Sequence, residues 1–334
     1  MSAFPALVCP HCRAVLDAAG GEAAPERCGG CGARFPLVHG VRALMREPDA
    51  GTMEEWQKGI YDAYPAGDYG GWRLGRAPDL TLTYWSHSRR IAALRPAPGS
   101  VVLDVGCLAG RKLLEIAARF DVRGVGVDLS TAAIAAARAR RHPRLRFHAA
   151  RADALPLPDA SVDLAISMDV LEHTPDAAAV VRAVRRCLRP GGRFLVHVPV
   201  TDNADSFDAW MAAHRPDEWS ARMRQAGHDY GRMPSSQDLR SWFESAGFEQ
   251  VRVTRFNAWH QNRFDYYGVH RVLNTLFFRW GLPIALYHDV LAHATRAWYR
   301  LDAGRRRRGI GGSVYVVGTA PAAGPAPAGR VAPA

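Results

Sequence analysis

The amino-acid sequence predicts an α/β protein organised on a doubly wound sheet of about seven strands, preceded by a small cysteine-rich segment and carrying a helical insertion before its last strand. Three observations carry this reading. Val101-Val102-Leu103-Asp104-Val105 is a β-branched apolar run that enters a turn with glycine at 106 and 110. Arg111 to Phe120 then repeats apolar residues at helical spacing (Leu113, Leu114, Ala117, Phe120), completing a βα unit. The pattern returns with Arg123 to Leu129, Leu145 to Ala149, Val162 to Met168 and Arg193 to Val198 as strands and helical stretches between them. Right-handed crossovers then place helices on both faces of a parallel sheet.

Four of the six cysteines form Cys9-Pro10-His11-Cys12 and Cys28-Gly29-Gly30-Cys31, with fifteen residues between the pairs. Two such turns supply four thiolates, the closed tetrahedral shell that structural zinc prefers and that leaves no position for a catalytic water. Nothing marks the chain as secreted, which disfavours two disulfides in place of the metal. His11 and His39 are read as surface residues, and Cys107 and Cys187 as ordinary buried thiols. Residues 1–47 are therefore expected to form a small zinc-held domain that cannot order itself without its metal. Residues 48–79, with Pro48, Pro65, Pro78 and many glycines among aromatics, read as linker or lid with one short helix near Glu54 to Tyr61. Because that linker separates the ribbon from the first strand of the sheet, the rest of the protein is expected to survive metal removal.

Leu80 to Leu94 reads as a helix stopped by Pro96-Ala97-Pro98-Gly99. Acids then end successive strands: Asp104, Asp128 placed 24 positions later, and Asp153 after the third. A carboxylate at the end of the second strand suits a ribose diol, and Asp153 an adenine amino group. A dinucleotide is disfavoured, since its fingerprint wants glycine at 106, 108 and 111 where the chain has Gly106, Leu108 and Arg111. Ser130 or Thr131 caps the next helix, which runs to Arg140. Asp176 to Leu188 is a helix, Pro190-Gly191-Gly192 a stop before the fifth strand, Ser236 to Ala246 a helix and Phe248 to Phe256 a sixth strand. In 257–312 two amphipathic helices are expected, and 313–318 is the last strand. Residues 319–334, rich in Pro, Ala and Gly, are expected to be disordered.

These residues, with Leu171-Glu172-His173 and Leu188-Arg189-Pro190-Gly191-Gly192, resemble the class I S-adenosylmethionine-dependent methyltransferases over roughly 80–255, which implies a Rossmann-like fold. The resemblance implies that Asp104, Val105, Gly106, Cys107 and Gly110 hold the methionine end of the cofactor, Asp128 and Leu129 the ribose, Asp153 and Ala154 the adenine, and Ser167 and Met168 the wall opposite. One departure is Leu108, where the family has its middle glycine: the side chain either packs outward or crowds the methionine, and a non-binding homologue is the alternative. Residues 5–47 look like the small zinc-ribbon proteins that activate methyltransferases, with Cys9, Cys12, Cys28 and Cys31 as the ligands.

The methyl acceptor is expected beside Met168 to His173 and beneath residues 199–235. Met168-Asp169-Val170-Leu171 stands where enzymes methylating base amino groups carry an Asn/Asp-Pro-Pro-aromatic tetrad, and a Pro-Cys nucleophile is missing too. A small or lipid-linked metabolite, methylated at oxygen, is the expected acceptor. His173 is the first candidate base, though a positional role suits it better; His214, His228, Asp229 and Tyr230 lie in the covering segment, and no catalytic residue is assigned. The chain carries a net charge of +11, almost all of it on arginine. RNA modification is the rival reading, disfavoured because the ribbon is only modestly basic and no aromatic-and-basic signature stands out. For 257–312 three roles compete: a lid, a homodimer surface, and a membrane-surface patch serving a lipid-linked acceptor. No apolar run reaches the roughly 20 residues of a membrane span, and a cytoplasmic protein is expected.

Overall fold

The computed structural model describes residues 4–45, 58–59, 82–225, 233–260, 262–263, 297 and 299–322. In the N-terminal segment β1 (Leu7–Val8) pairs antiparallel with β2 (Val15–Asp17), and β3 (Leu37–Val38) forms a hairpin with β4 (Val41–Leu44). Then come α1 (Leu82–Ala93), β5 (Val101–Val105), α2 (Arg111–Arg119), β6 (Arg123–Asp128), α3 (Thr131–Arg138), β7 (Leu145–Ala150) and β8 (Val162–Met168). A 3-10 turn at Leu171–His173 leads to α4 (Ala177–Cys187), β9 (Leu188–Pro199), α5 (Phe207–His214), α6 (Pro216–Gln225), α7 (Ser236–Ser245), β10 (Glu249–Phe256), α8 (Ala303–Arg307) and β11 (Ser313–Thr319).

One nine-stranded sheet runs in the order β10-β11-β9-β8-β5-β6-β7-β4-β3. Seven of these strands, β5 to β11, are the ones the sequence pattern predicts. The five central strands are parallel, while β11 lies antiparallel to both β9 and β10. Each parallel strand is apolar on both sides because helices cover both. Leu103, Val105 and Val196 face Val180 and Val184 of α4 and Leu239 and Phe243 of α7. Val102, Ile166 and Leu195 meet Ile91 of α1, Leu113 and Ile116 of α2 and Ile134 of α3. Between β5 and β8 the winding reverses, opening a crevice at the carboxyl ends of the strands where ligands of such sheets bind.

The helix starts follow their caps: Ser130, Asp176 and Ser206 accept from the N–H three residues on, and Ser235 and Asp238 form a reciprocal capping box. Pro190-Gly191-Gly192 does not stop the chain before β9. It forms a bulge inside that strand, with Val162 opposite Leu188 but Leu164 opposite Arg193, and with the Gly191 N–H bonded to Ala320 O at 3.0 Å. Order also extends beyond the expected end of β11, since Thr319 is in the strand and Ala320 is fully buried.

The larger departure is at the other end. The boundary at residue 47 does not set a body apart, because β4 pairs parallel with β7, Ala43 opposite Ala149 and Leu44 opposite Ala150. Leu7, Cys9, Cys28, Phe35 and Leu44 belong to the same apolar cluster as the central strands. The Val8 N–H donates to Pro156 O at 3.0 Å, and the Phe147 N–H to Glu22 Oε1 at 2.8 Å. A lone β7 edge would expose its unpaired backbone groups, and the hairpin covers them. Of the short helix expected near Glu54 to Tyr61 only Lys58 and Gly59 are described, and both are helical; the linker aromatics, residues 264–296 of the expected helical insertion and the tail 323–334 lie outside the described residues.

Candidate functional site

Asp104, next to last in β5, is 1% exposed, and its Oδ2 has no hydrogen-bond partner. Burial pushes its carboxyl up to about 7; Lys112 pulls the other way and Asp128 adds to the rise. Ser167 stands opposite Val105 in the β5–β8 ladder, fully buried, its Oγ likewise without a partner. Burial also raises Glu172 well above the usual carboxylate range, and the nearby Asp169 charge adds to it. Buried carboxyl groups gathered around the one nearby Lys112, with open acceptor atoms on Asp104 and Ser167, suit a cationic ligand able to hydrogen-bond through N–H groups.

The turn after β5 is shaped for close approach. Gly106 and Gly110 have φ of 75° and 76°, and a Cβ at Gly106 would lie 2.2 Å from Val170 Cγ2 and one at Gly110 2.4 Å from the Phe147 ring. Leu108, at φ 46°, packs its side chain toward Ala133 and Ala136 on α3. Its N–H donates to Asp128 Oδ2 at 2.8 Å, while the Ser130 N–H donates to Oδ1 at 2.9 Å. Asp128 thus orients both the glycine turn and the start of α3. Cys107 is buried, its Sγ lying where a Cβ on Gly126 would come within 2.6 Å. At the far end Asp153 is held bidentately by Arg151, at 3.0 and 2.9 Å, so this acid already has a cation.

Beyond β8 the chain places Asp169 at φ 59°. Its Oδ1 lies 2.6 Å from Nδ1 of His197 on β9, whose Nε2 lies 2.9 Å from Ser313 Oγ on β11. His87 of α1 brings Nε2 to 3.8 Å from Asp169 Oδ2, and the two imidazole rings are 4.6 Å apart. His173 sits at the end of the 3-10 turn, 4.0 Å from the buried Glu172. His214 is exposed, its Nδ1 2.9 Å from Trp210 O. His228, Asp229 and Tyr230 lie outside the described residues.

In the N-terminal segment the four cysteine Sγ atoms lie within 4.8 Å of one another, with Cys9 to Cys31 at 3.8 Å and Cys12 to Cys28 at 3.6 Å. A tetrahedron of Zn–S bonds of about 2.3 Å has edges of about 3.8 Å, so the donor set fits zinc. His11 stacks over Phe35, and His39, though exposed, reaches Thr131 at 2.9 Å and ties the segment to α3. On the sheet's opposite flank Trp210, His214, Trp259, Arg305 and Arg308 line a cleft of about 620 Å³ between α5 and α8.

The family model for the methyltransferase domain matches residues 103–196, from Leu103 in β5 to Val196 in β9. The ubiquinone/menaquinone biosynthesis C-methyltransferase UbiE of Caulobacter vibrioides is 32% identical over 191 residues, covering 50% of this chain and 75% of that protein. The chain belongs to the class I S-adenosylmethionine-dependent methyltransferases. The 27-O-demethylrifamycin SV methyltransferase of Amycolatopsis mediterranei is 33% identical over 156 residues, 41% of this chain and 57% of that one. This methyltransferase chain spans about half the length of several curated relatives it matches, 46%, 57% and 56%. Among solved structures, phosphoethanolamine N-methyltransferase 2 of Haemonchus contortus in complex with S-adenosyl-L-methionine is similar with a TM-score of 0.50 and 18% identity, covering 71% of this chain and 53% of that one. That likeness concerns the fold.

In this methyltransferase the acids named from the sequence sit at the carboxyl ends of β5, β6 and just beyond β7, around one crevice. Sequence reasoning missed the His87, Asp169 and His197 cluster. Its one visible signal is a histidine between Val196 and Val198 in the apolar second half of β9, Phe194 to Val198, a position that asks for a buried partner. His87 and Ser313 carry no such mark.

Proposed function

We propose that the protein transfers a methyl group from S-adenosylmethionine to an oxygen of a small or lipid-linked metabolite. The observation that carries the cofactor half is Asp104, a buried carboxyl group with an unpartnered oxygen where the winding of the sheet reverses. When bound, the cofactor supplies a methyl group activated on a positively charged sulfur. Asp104 and the Gly106 to Gly110 turn would hold its amino-acid end, and Asp128 and Leu129 the ribose. Ala154, with Asp153 already paired to Arg151, would border the adenine, and Ser167 and Met168 would form the opposite wall. Packing of Leu108 toward α3 supports a working site over a degenerate one.

The acceptor half rests on two supports. One relative's name specifies methylation at an oxygen, although another's specifies carbon. The cleft between α5 and α8 combines indole walls with two guanidinium groups, which suits an acceptor that is part apolar and part anionic. The four-cysteine cluster is proposed to hold one structural zinc ion, with its ribbon acting as a built-in edge of the sheet. Calorimetry with S-adenosylhomocysteine tests the cofactor: one site per chain is expected. Absence of binding by the intact protein would leave a methyltransferase-like scaffold without the activity. Methyl transfer from radiolabelled cofactor to hydroxyl-bearing lipids and metabolites, followed by localisation of the methyl group, tests the acceptor atom.

A further inference from the structure

The His87, Asp169 and His197 cluster contains none of the residues assigned to the cofactor, and hydrogen bonding alone does not account for it. His87 is 2% exposed and neither of its ring nitrogens has a hydrogen-bond partner. An imidazole always carries at least one N–H, and leaving it dry and unpaired costs about 1 to 3 kcal/mol. Asp169 Oδ2 stands 3.8 Å from Nε2, beyond hydrogen-bond reach. His197, also 2% exposed, has both nitrogens in contact, one with Asp169 and the other with Ser313. One donor atom from each of the three side chains lies within 4.8 Å of the other two. Asp169, in a left-handed conformation that aspartate tolerates better than most residues, turns its carboxylate between the two rings while its side chain remains 42% exposed.

We propose that His87, Asp169 and His197 form a second metal site, for a divalent first-row transition ion. Two imidazoles and one carboxylate on one side of an ion, with open positions on the other, is a recognised donor set for such ions, and it differs in kind from the four thiolates of the ribbon. His87 offers Nε2 and His197 offers Nδ1, the atoms nearest the carboxylate. Ser313 then takes the Nε2–H of His197 as acceptor, fixing the tautomer that leaves Nδ1 free to bind metal. The His197 to Asp169 separation of 2.6 Å has to open by a few tenths of an ångström to admit an ion, which the half-exposed Asp169 side chain allows. The open positions face the exposed side of Asp169, one residue from Met168. There they would take oxygen donors of the acceptor, a hydroxyl beside a second hydroxyl or a carbonyl; this last step alone rests on the methyl-transfer reading.

The test uses the full-length protein and Mn²⁺, a first-row ion that prefers oxygen donors such as the Asp169 carboxylate and is not selected by the ribbon's soft thiolates. Loss of the free Mn²⁺ electron paramagnetic resonance signal should report one equivalent bound per chain. His87→Gln and Asp169→Asn should abolish that binding, and Ser313→Ala should weaken it by about 10- to 100-fold. Zinc content at the cysteines and the thermal melt check that each variant folds; if one does not, His197→Gln replaces it. S-adenosylhomocysteine binding, measured on the same samples, separates the two ideas. Cofactor binding without Mn²⁺ binding overturns the metal site alone, whereas Mn²⁺ binding without cofactor binding overturns the methyltransferase reading and leaves the metal site standing. Wild-type protein that binds no Mn²⁺, or variants that bind it as the wild type does, would show a water-filled hydrogen-bond network instead.

Discussion

The two flanks of the β5–β6–β7 half-sheet treat their polar groups in opposite ways. On the β7 side, where the N-terminal ribbon lies, acids are paired within the protein: Glu22 with Arg138 and the Phe147 N–H, Asp153 with Arg151, Asp159 with Arg13 and Arg186. At the mouth between β5 and β8, Asp104, Ser167 and His87 hold buried atoms with no partner. Native proteins leave few such atoms, and each costs stability. Apart from its four cysteines, the first region satisfies these acids within the protein. The second leaves buried groups open to a ligand, so perturbing the ribbon should change stability and perturbing the mouth should change binding.

The largest effect expected is loss of the ribbon. The zinc proposed for the four thiolates would contribute on the order of 10 kcal/mol to the order of so small a segment. Chelation, or Cys9→Ser, should make residues 4–45 protease-sensitive. Because β4 is a ladder partner of β7, amide exchange should also rise along Leu145–Ala150, contrary to the expectation that the rest of the fold would be indifferent. Hydrogen exchange read by mass spectrometry decides it: β7 protection unchanged after chelation would mean that the ribbon is an appendage after all.

Next in size is Asp104→Asn, which should move stability and binding in opposite directions. The unfolded chain titrates this acid near 3.8 and the fold near about 7. Below 3.8 both states hold the proton and the shift costs nothing. As pH rises from 3.8 toward 7 the unfolded chain releases its proton first, so stability falls across that window and stays low above it. About three units at about 1.4 kcal/mol each set an upper figure of about 4 kcal/mol. Asp104→Asn should therefore stabilise the ligand-free protein at pH 8 by up to that amount, with little effect near pH 3. It should weaken S-adenosylhomocysteine binding by roughly 10- to 150-fold, the value of a hydrogen bond to a charged group. Denaturant melts at the two pH values and calorimetry measure both; a variant that is destabilised at pH 8 would refute the account of this carboxyl.

The smallest effect belongs to Leu108→Gly. Glycine relieves a left-handed backbone cost of about 1 to 2 kcal/mol and gives up a comparable amount of apolar packing toward α3, so stability should stay within about 1 kcal/mol and cofactor affinity within a few-fold. Cofactor binding that appears only in the glycine variant would mean that the leucine obstructs the site.

Much of this contrast was visible in the residues. β5 to β9 are apolar on both sides because helices cover both, and that produces continuous runs easy to find by eye. Asp104 and Asp128 stand at or next to the ends of their strands, where the chain turns at the edge of the crevice. Less visible was anything that depends on partners distant in sequence. Asp153 looked free until Arg151 folded back on it: a spacing of two puts both side chains on one side of an extended chain, but the pair lies in the turn after β7, where that periodicity no longer holds. The addition of β4 to the sheet was hidden because a strand of four residues, Val41–Leu44, shows too little alternation to name its neighbour. Likewise His87, His197 and Ser313 come together only through the order of α1, β9 and β11 in space.

The pairing of β4 with β7 also bears on how the chain is made. Ala43 meets Ala149, so the hairpin leaves the ribosome about a hundred residues ahead of its partner strand, an interval of roughly 5 to 20 s at ordinary rates of synthesis. Over that time Leu37–Leu44 is a strand pair with one edge waiting. Four clustered thiolates that capture their ion at this stage would hold the edge in shape, and β7 would meet a ready template when it emerges, instead of offering its own open edge to another nascent chain.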